Sequence, residues 1–261
     1  MTMEHANHTA VITGAGAGIG EAIARALAAE GAMVVVADVK VEAAETVAKS
    51  IRDAGGNAEA MLTDVTDRAS VEAMARHAET AHGGIDILVN NAGVQHVAPL
   101  IEFLESDWRR LIDVMLTGTF LCTQAAVRSM ISKRRGWIVN IASQLGKEGA
   151  AYKCAYTAAK HGIIGLTRSN ALELAEHEIR VNAICPGLTR TQLVEDQLDD
   201  LARAHGYGRD EVLDRLYYPR IPQKRALEPK EIADCAVFLC SKRAGAFTGQ
   251  ALNVSAGAIM E

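Results

Sequence analysis

The stretch "TAVITGAGAGIGEAIARALAAEGAMVVVAD" occupies positions 9–38. It opens with a short β-branched run (9–13) and passes through a glycine-rich turn, TGAGAGIG (13–20). An amphipathic helical stretch follows and stops at Gly31, and a second apolar run, MVVVAD (33–38), closes the segment. Strand, turn, helix, strand is the βαβ unit, which joins two parallel strands through a crossover helix. A glycine turn at that place lets backbone N–H groups and the helix N-terminus approach a pyrophosphate. The register is G-x-x-x-G-x-G (Gly14, Gly18, Gly20), with Ala17 and Ile19 in the same loop, and not the commoner G-x-G-x-x-G. Glycines alone would suit any tight turn; their position between strand and helix is what points to a dinucleotide. Asp38 ends the second run, and a carboxylate there accepts the ribose hydroxyls of adenosine and repels a 2′-phosphate. The expected cofactor is therefore NAD and not NADP.

The alternation continues outward. A helix is expected over about 41–54, closed by Gly55-Gly56, then a strand at 58–65 whose end, Asp64-Val65, would border the adenine. SVEAMARHAETAHGG places Val71, Met74, Ala75 and Ala78 on one helical face and stops at Gly83. IDILVNNAG (85–93) is a fourth strand, unbroken apolar as strands buried on both faces are. Its end, Asn91-Ala92-Gly93, would face the cofactor. A long helix (about 107–132), the strand GWIVNIAS (136–143), a helix (about 152–176) and the strand IRVNAICPG (179–187) follow. Last come an irregular polar segment (190–226), a helix opened by Glu228-Pro229 and a short strand (251–255). This predicts an α/β fold with a doubly wound parallel sheet of Rossmann type, in one domain spanning 1–261.

Composition excludes several classes. The 261 residues carry a net charge of −5 with no basic run of five or more, so nucleic acid is not an expected partner. No wholly apolar run approaches the roughly 18 residues of a membrane span, and no secretory signal opens the chain, so a cytoplasmic protein without a membrane partner is expected. The five cysteines form no C-x-x-C pair and read as reduced thiols. The eight histidines form no H-x-x-x-H pair on a helix, so no metal site is expected.

AYKCAYTAAKHG (151–162) holds Tyr152, Tyr156 and Lys160 at intervals of four, a spacing that would stack all three on one helical face. Either phenol could then work beside the ammonium. With this stretch in place, the sequence resembles the short-chain dehydrogenase/reductase family along nearly its whole length. The resemblance is carried in order by T-G-x-x-x-G-I-G (13–20), N-N-A-G (90–93), Ser143, Y-x-x-x-K (156–160) and P-G-x-x-x-T (186–191). It implies that Tyr156 is the general acid/base, Lys160 its partner and a holder of the nicotinamide ribose, Ser143 a hydrogen-bond donor to the substrate oxygen, and Thr191 a contact at the nicotinamide end. Tyr152 would then be a pocket wall or a packed phenol. A free phenol titrates near 10, so a nearby ammonium and an oxidised nicotinamide would have to favour the phenolate. The resemblance also implies a homotetramer. Three positions depart from the family pattern: Met115 replaces an asparagine tied to a proton relay, VSAG (254–257) replaces V-D-G-G, and Lys147 is an unusual charge near Ser143.

The stretches NNAGVQHVAP, YKCAYTAAKHGI and RTQLVEDQL further resemble the 3-hydroxybutyrate dehydrogenase branch. That likeness implies a substrate carboxylate held by Gln95, Lys153 and Gln197. Leu145, Leu188 and Ala258 stand where the branch has a histidine and two tryptophans, which implies a roomier, more apolar pocket under a lid formed by 190–226. The expected substrate is thus a small, anionic hydroxy acid, 3-hydroxybutyrate or a larger relative. Two alternatives stay open: a neutral secondary alcohol, sugar or ring ketone, and a non-catalytic NAD-binding regulator.

Overall fold

Seven short runs rich in β-branched and other apolar residues become strands: β1 (Thr9–Thr13), β2 (Met33–Asp38), β3 (Asn57–Leu62), β4 (Ile87–Asn90), β5 (Gly136–Ile141), β6 (Ile179–Pro186) and β7 (Ala251–Val254). The computed structural model describes residues 3–261. All described strand pairs are parallel, in the order β3-β2-β1-β4-β5-β6-β7. The chain winds from β1 outward to β3, then returns to place β4 on the other side of β1. The order therefore reverses between β1 and β4, and a cleft opens there at the carboxyl ends of the strands.

Successive strand residues point to opposite faces. Ile12, Val34 and Val36 pack under α1 (Gly18–Ala29), α2 (Val41–Asp53) and α9 (Pro229–Cys240). Val11, Val35 and Leu88 pack under α3 (Arg68–His82), α5 (Gly118–Lys133) and α6 (Cys154–Leu174). The sheet is thus sandwiched between two helical layers as a single domain. A polar chain crosses the second layer. Asn90 Nδ2 donates to Asn140 Oδ1 (2.8 Å) and Thr123 Oγ1 (3.1 Å), and Asn140 Nδ2 donates to Thr167 Oγ1 (2.9 Å). It ties β4, β5, α5 and α6 through groups that are all buried.

Several element boundaries differ from those read in the sequence. β3 ends at Leu62 and not at 65, because Asp64 starts a turn in which its Oδ1 accepts from the backbone and hydroxyl of Thr66 (2.9 and 2.7 Å). β4 stops at Asn90, short of 93. The long helix begins earlier, as α4 (Glu105–Ile112), and reaches α5 through a π turn at Asp113–Thr117. By length and composition the whole run Glu105–Lys133 could cross a membrane. Its Leu111, Met115, Cys122 and Met130 are wholly buried against the protein, however, as in a core helix. The helix drawn from 152 starts at Cys154, since Tyr152 adopts φ +65° and cannot belong to a right-handed turn. The segment 190–226, expected to be irregular, contains α7 (Gln192–Glu195), α8 (Leu198–His205) and short 3-10 and π turns.

Candidate active site

The glycine turn lies directly after β1, where the cleft opens. Gly14 and Gly18 both adopt φ +61°, a region open to glycine at little cost. Gly20 is needed for a different reason: a Cβ there would collide with the Asn91 amide and lie 2.5 Å from the Gly14 carbonyl oxygen. Asn91 braces the turn from β4, its Nδ2 donating to the carbonyls of Thr13 (3.0 Å) and Gly14 (2.9 Å). The backbone N–H groups of Asn91 and Ala92 donate to Thr13 Oγ1 (3.1 and 3.2 Å). Asn91 therefore shapes the loop, and its amide nitrogen is committed to that work.

Ala17 stands at the N-cap of α1, where its methyl side chain caps nothing. The first-turn N–H groups of this helix are thus left for an anion, helped by the helix dipole. Asp38 sits at the rim: its Oδ2 accepts from Gly16 N (2.9 Å) and its Oδ1 from Lys40 N (2.9 Å). Each oxygen keeps capacity for a further donor such as a ribose hydroxyl. A Cβ on Gly18 would touch the Thr191 methyl at 3.4 Å, so Thr191 faces the glycine turn from the segment after β6. Asp64 caps its own turn, and Val65 packs on Gly118 so closely that a Cβ there would lie 2.8 Å away. Gly93 lies open near Met115, 3.9 Å from where its own Cβ would be. An uncapped helix terminus, a glycine cradle and a carboxylate at the ribose end together fit a nicotinamide dinucleotide.

Ser143 follows β5 in extended conformation, its hydroxyl accepting from Leu145 N (3.1 Å). Tyr156 and Lys160 lie one turn apart on α6. Burial pushes the Tyr156 phenol above its usual range, and a hydrogen bond with Ser143 opposes the rise. Lys160 is buried, and burial pulls its ammonium down to about 8. Its Nζ donates to the Ile141 carbonyl (2.7 Å) and lies 5.5 Å from the Tyr156 ring centroid. Burial thus outweighs the hydrogen bond at this phenol. Tyr152 has left the column: its ring packs edge-on against His205 at 4.9 Å, within the cluster that seats α8.

Beside Tyr156, Lys153 is buried at 5 % exposure. Its Nζ donates to Gln197 Oε1 (2.5 Å) and Tyr217 Oη (3.1 Å). Both partners are neutral, and burial lowers the ammonium to about 8. Burial pushes Tyr217 up to about 12, and the neighbouring Tyr156 adds to the rise, so the two phenols share one pocket. The structure brings Lys153 and Gln197 together. It does not bring Gln95 to them: Gln95 Oε1 accepts from His96 N in the loop after β4 (3.0 Å). That loop is pinned beside the site by Ala98 N donating to the Tyr152 carbonyl (3.1 Å).

Two residues escape the motif reading. Tyr217 reaches Lys153 from 64 positions away, which no local spacing signals. Gln144 Oε1 is buried with no hydrogen-bond partner among the described residues, next to Gly187, and is left as an acceptor for a bound group. Lys147 is half-buried and engaged away from Ser143, its Nζ donating to the backbone oxygens of Ala251 (2.8 Å) and Glu261 (2.7 Å). Leu145 and Leu188 are buried apolar residues.

Comparison with known proteins agrees with this geometry. Residues 8–202 match the short chain dehydrogenase family. The chain is 42 % identical over 253 residues to a cis-4-hydroxycyclohexanecarboxylate dehydrogenase of Sinomonas cyclohexanicum, covering 97 % of this chain and 96 % of the relative. It is 40 % identical over 255 residues to a D-beta-hydroxybutyrate dehydrogenase of Cupriavidus necator, covering 95 % and 96 %. A crystal structure of a short-chain type dehydrogenase/reductase from Mycobacterium marinum superposes with TM-score 0.90 at 33 % identity, covering 100 % and 98 % of the two chains.

Proposed function

The chain belongs to the short-chain dehydrogenase family and is an oxidoreductase, and from that premise we propose that it interconverts a hydroxycarboxylate and its ketone using NAD. The observation that carries the substrate class is Lys153, a buried ammonium whose recorded partners, Gln197 and Tyr217, are both uncharged. A buried charge without a counter-ion is costly. A substrate carboxylate supplies that counter-ion, and Gln197 can turn its amide N–H toward the same anion. Leucines at 145 and 188, with Ala258, leave apolar room for a carbon skeleton larger than four atoms. The hydroxybutyrate and hydroxycyclohexanecarboxylate relatives support this reading, since both names carry a hydroxyl and a carboxylate.

The glycine turn, the N-terminus of α1, Asp38, Thr191 and the backbone at Asp64, Val65, Ala92 and Gly93 hold NAD, which when bound supplies the hydride acceptor. Asp38 disfavours a 2′-phosphate by like-charge repulsion. Ser143 hydrogen-bonds the substrate oxygen and keeps it at Tyr156. Tyr156 takes the hydroxyl proton in oxidation and returns it in reduction. Lys160, an ammonium beside the ring, favours the phenolate as the proton arrives or leaves. Lys153 fixes the far end of the substrate, so that the carbinol carbon faces the nicotinamide. We read the working species as a cytoplasmic homotetramer, with free thiols at all five cysteines.

The test is kcat/KM for a panel of hydroxycarboxylates and their amides, with NAD and with NADP, in the wild type and Lys153→Met. Acids should exceed amides in the wild type. Lys153→Met should lose roughly 2–4 kcal/mol, about thirtyfold to several hundredfold, on the acids alone. NAD should exceed NADP by more than about tenfold, or 1.4 kcal/mol. A best substrate that is neutral and indifferent to Lys153→Met would replace the hydroxy-acid reading with a neutral alcohol.

A further inference from the structure

Away from the cleft, Glu59 on β3 stands between two histidines of α3. His77 Nε2 lies 2.6 Å and His82 Nε2 2.8 Å from the same carboxylate oxygen, Oε1. The three donor atoms all fall within 4.8 Å of one another. The two rings meet at 82° with centroids 5.9 Å apart, so they close on the carboxylate from two sides and do not stack. The histidines are five positions apart, which places them about 7.5 Å from each other along the helix axis and straddling the strand residue. An H-x-x-x-H search cannot see such a set, because one of its members is on another element.

We infer that Glu59, His77 and His82 form a three-ligand site for a borderline divalent cation of the zinc type, which staples α3 to the sheet edge.

Two imidazole nitrogens and one carboxylate oxygen make a donor set that selects zinc, cobalt, nickel or copper over magnesium or calcium. Zinc takes such ligands at about 2.0–2.2 Å, so tetrahedral donors stand roughly 3.3 Å apart. The two nitrogen–oxygen spacings, 2.6 and 2.8 Å, need to open by about 0.5–0.7 Å to reach that geometry. The side chain of His77 is 42 % exposed, against 20 % for His82, so solvent reaches the site on the His77 side and can supply a fourth ligand. Arg52 donates to the neighbouring Ala58 carbonyl, but its charge is paired with Glu45.

The position argues for structure and against chemistry. β3 is an edge strand, and the His82 carbonyl accepts from Thr9 Oγ1 at the beginning of β1 (3.4 Å), away from the carboxyl ends that form the cleft. A cation here would fasten the exposed edge to the helix covering it. It would raise stability by mass action without touching turnover.

The test uses the whole enzyme, prepared without a metal column and stripped with chelator. Titration with zinc chloride in a calorimeter should show one micromolar site, and magnesium chloride should give no heat. Glu59→Gln and His77→Gln should each weaken zinc binding at least about tenfold, while Cys235→Ser leaves it unchanged. Cobalt chloride should give visible d–d absorption in the wild type that is lost in His77→Gln. This spectrum reads ligation directly and does not depend on the stability of a variant. Chelated and zinc-loaded enzyme should turn over alike, with the loaded form melting several degrees higher. Absence of zinc binding below millimolar concentration, or binding undiminished in the Glu59→Gln/His77→Gln double variant, would overturn the assignment and leave a plain hydrogen-bonded triad.

Discussion

Tyr156 and Tyr152 show what a single residue's backbone decides. The repeat of four allowed both to face Lys160, but φ +65° at Tyr152 turns that side chain to His205 and α8. Tyr156→Phe should therefore abolish turnover, by about 10²-fold or more, and leave NAD affinity within a few-fold by fluorescence titration. Tyr152→Phe should keep most activity; equal loss in both would remove the distinction. Lys153 predicts a pH dependence. Its ammonium, lowered to about 8, is charged below that pH and holds an anion, and above it the neutral amine does not. The inhibition constant of a simple carboxylate competing with substrate should be flat below pH 8 and rise about tenfold per unit above it. In Lys153→Met the rise should vanish. Among single residues, Ser143, Tyr156 and Lys160 could be singled out in the sequence through the family resemblance, and Asp38 because it ends the second strand; the structure brings the first three together. Tyr217 and Gln144 were not, because their role comes from a cluster formed only on folding.

At the scale of elements, strands and most helices could be read from periodicity, since burial on one or both faces imposes it. The π turn at Asp113–Thr117 could not, because the residue types of DVMLT suit an ordinary α turn equally well. That turn aims Met115 wholly into an apolar cluster with Leu111, Ala155, Ala159 and Ile163. Its carbonyl accepts from Thr119 Oγ1 (2.7 Å). The methionine is thus a core residue. Met115→Asn should cost about 1–3 kcal/mol by burying an amide, visible as a lower midpoint in thermal or urea unfolding. A gain in kcat with no loss of stability would instead restore the proton-relay reading of this position. α7 and α8 were read as irregular because each is short and flanked by charge; α8 is seated by Leu198 and Leu201 packing with Val212, Tyr152 and Tyr217, and α7 by Val194 packing on the main core.

For the whole molecule, the doubly wound parallel sheet followed from strand–helix alternation, whereas the strand order that opens the cleft between β1 and β4 came with the structure, and assembly is not written in composition. Leu104 at the N-cap of α4, Trp108 on α4, Phe120 on α5 and Leu172 on α6, the last 84 % exposed, lie uncovered along three helices of one layer. Apolar side chains of this size collected in one layer suit an interface between copies. On the proposed tetramer, Trp108→Glu with Leu172→Glu should lower the mass in sedimentation equilibrium relative to the wild type; an unchanged mass would move the interface elsewhere. The buried chain from Thr123 through Asn90 and Asn140 to Thr167 has a consequence for how the molecule is made. A strand slipped by one residue turns its side chains to the opposite layer. β5 slipped against β4 would strand the Asn140 amide in hydrocarbon, where nothing answers it. Mispaired sheets thereby become costly once the helical layers exclude water, and the ladder favours the native register over its neighbours.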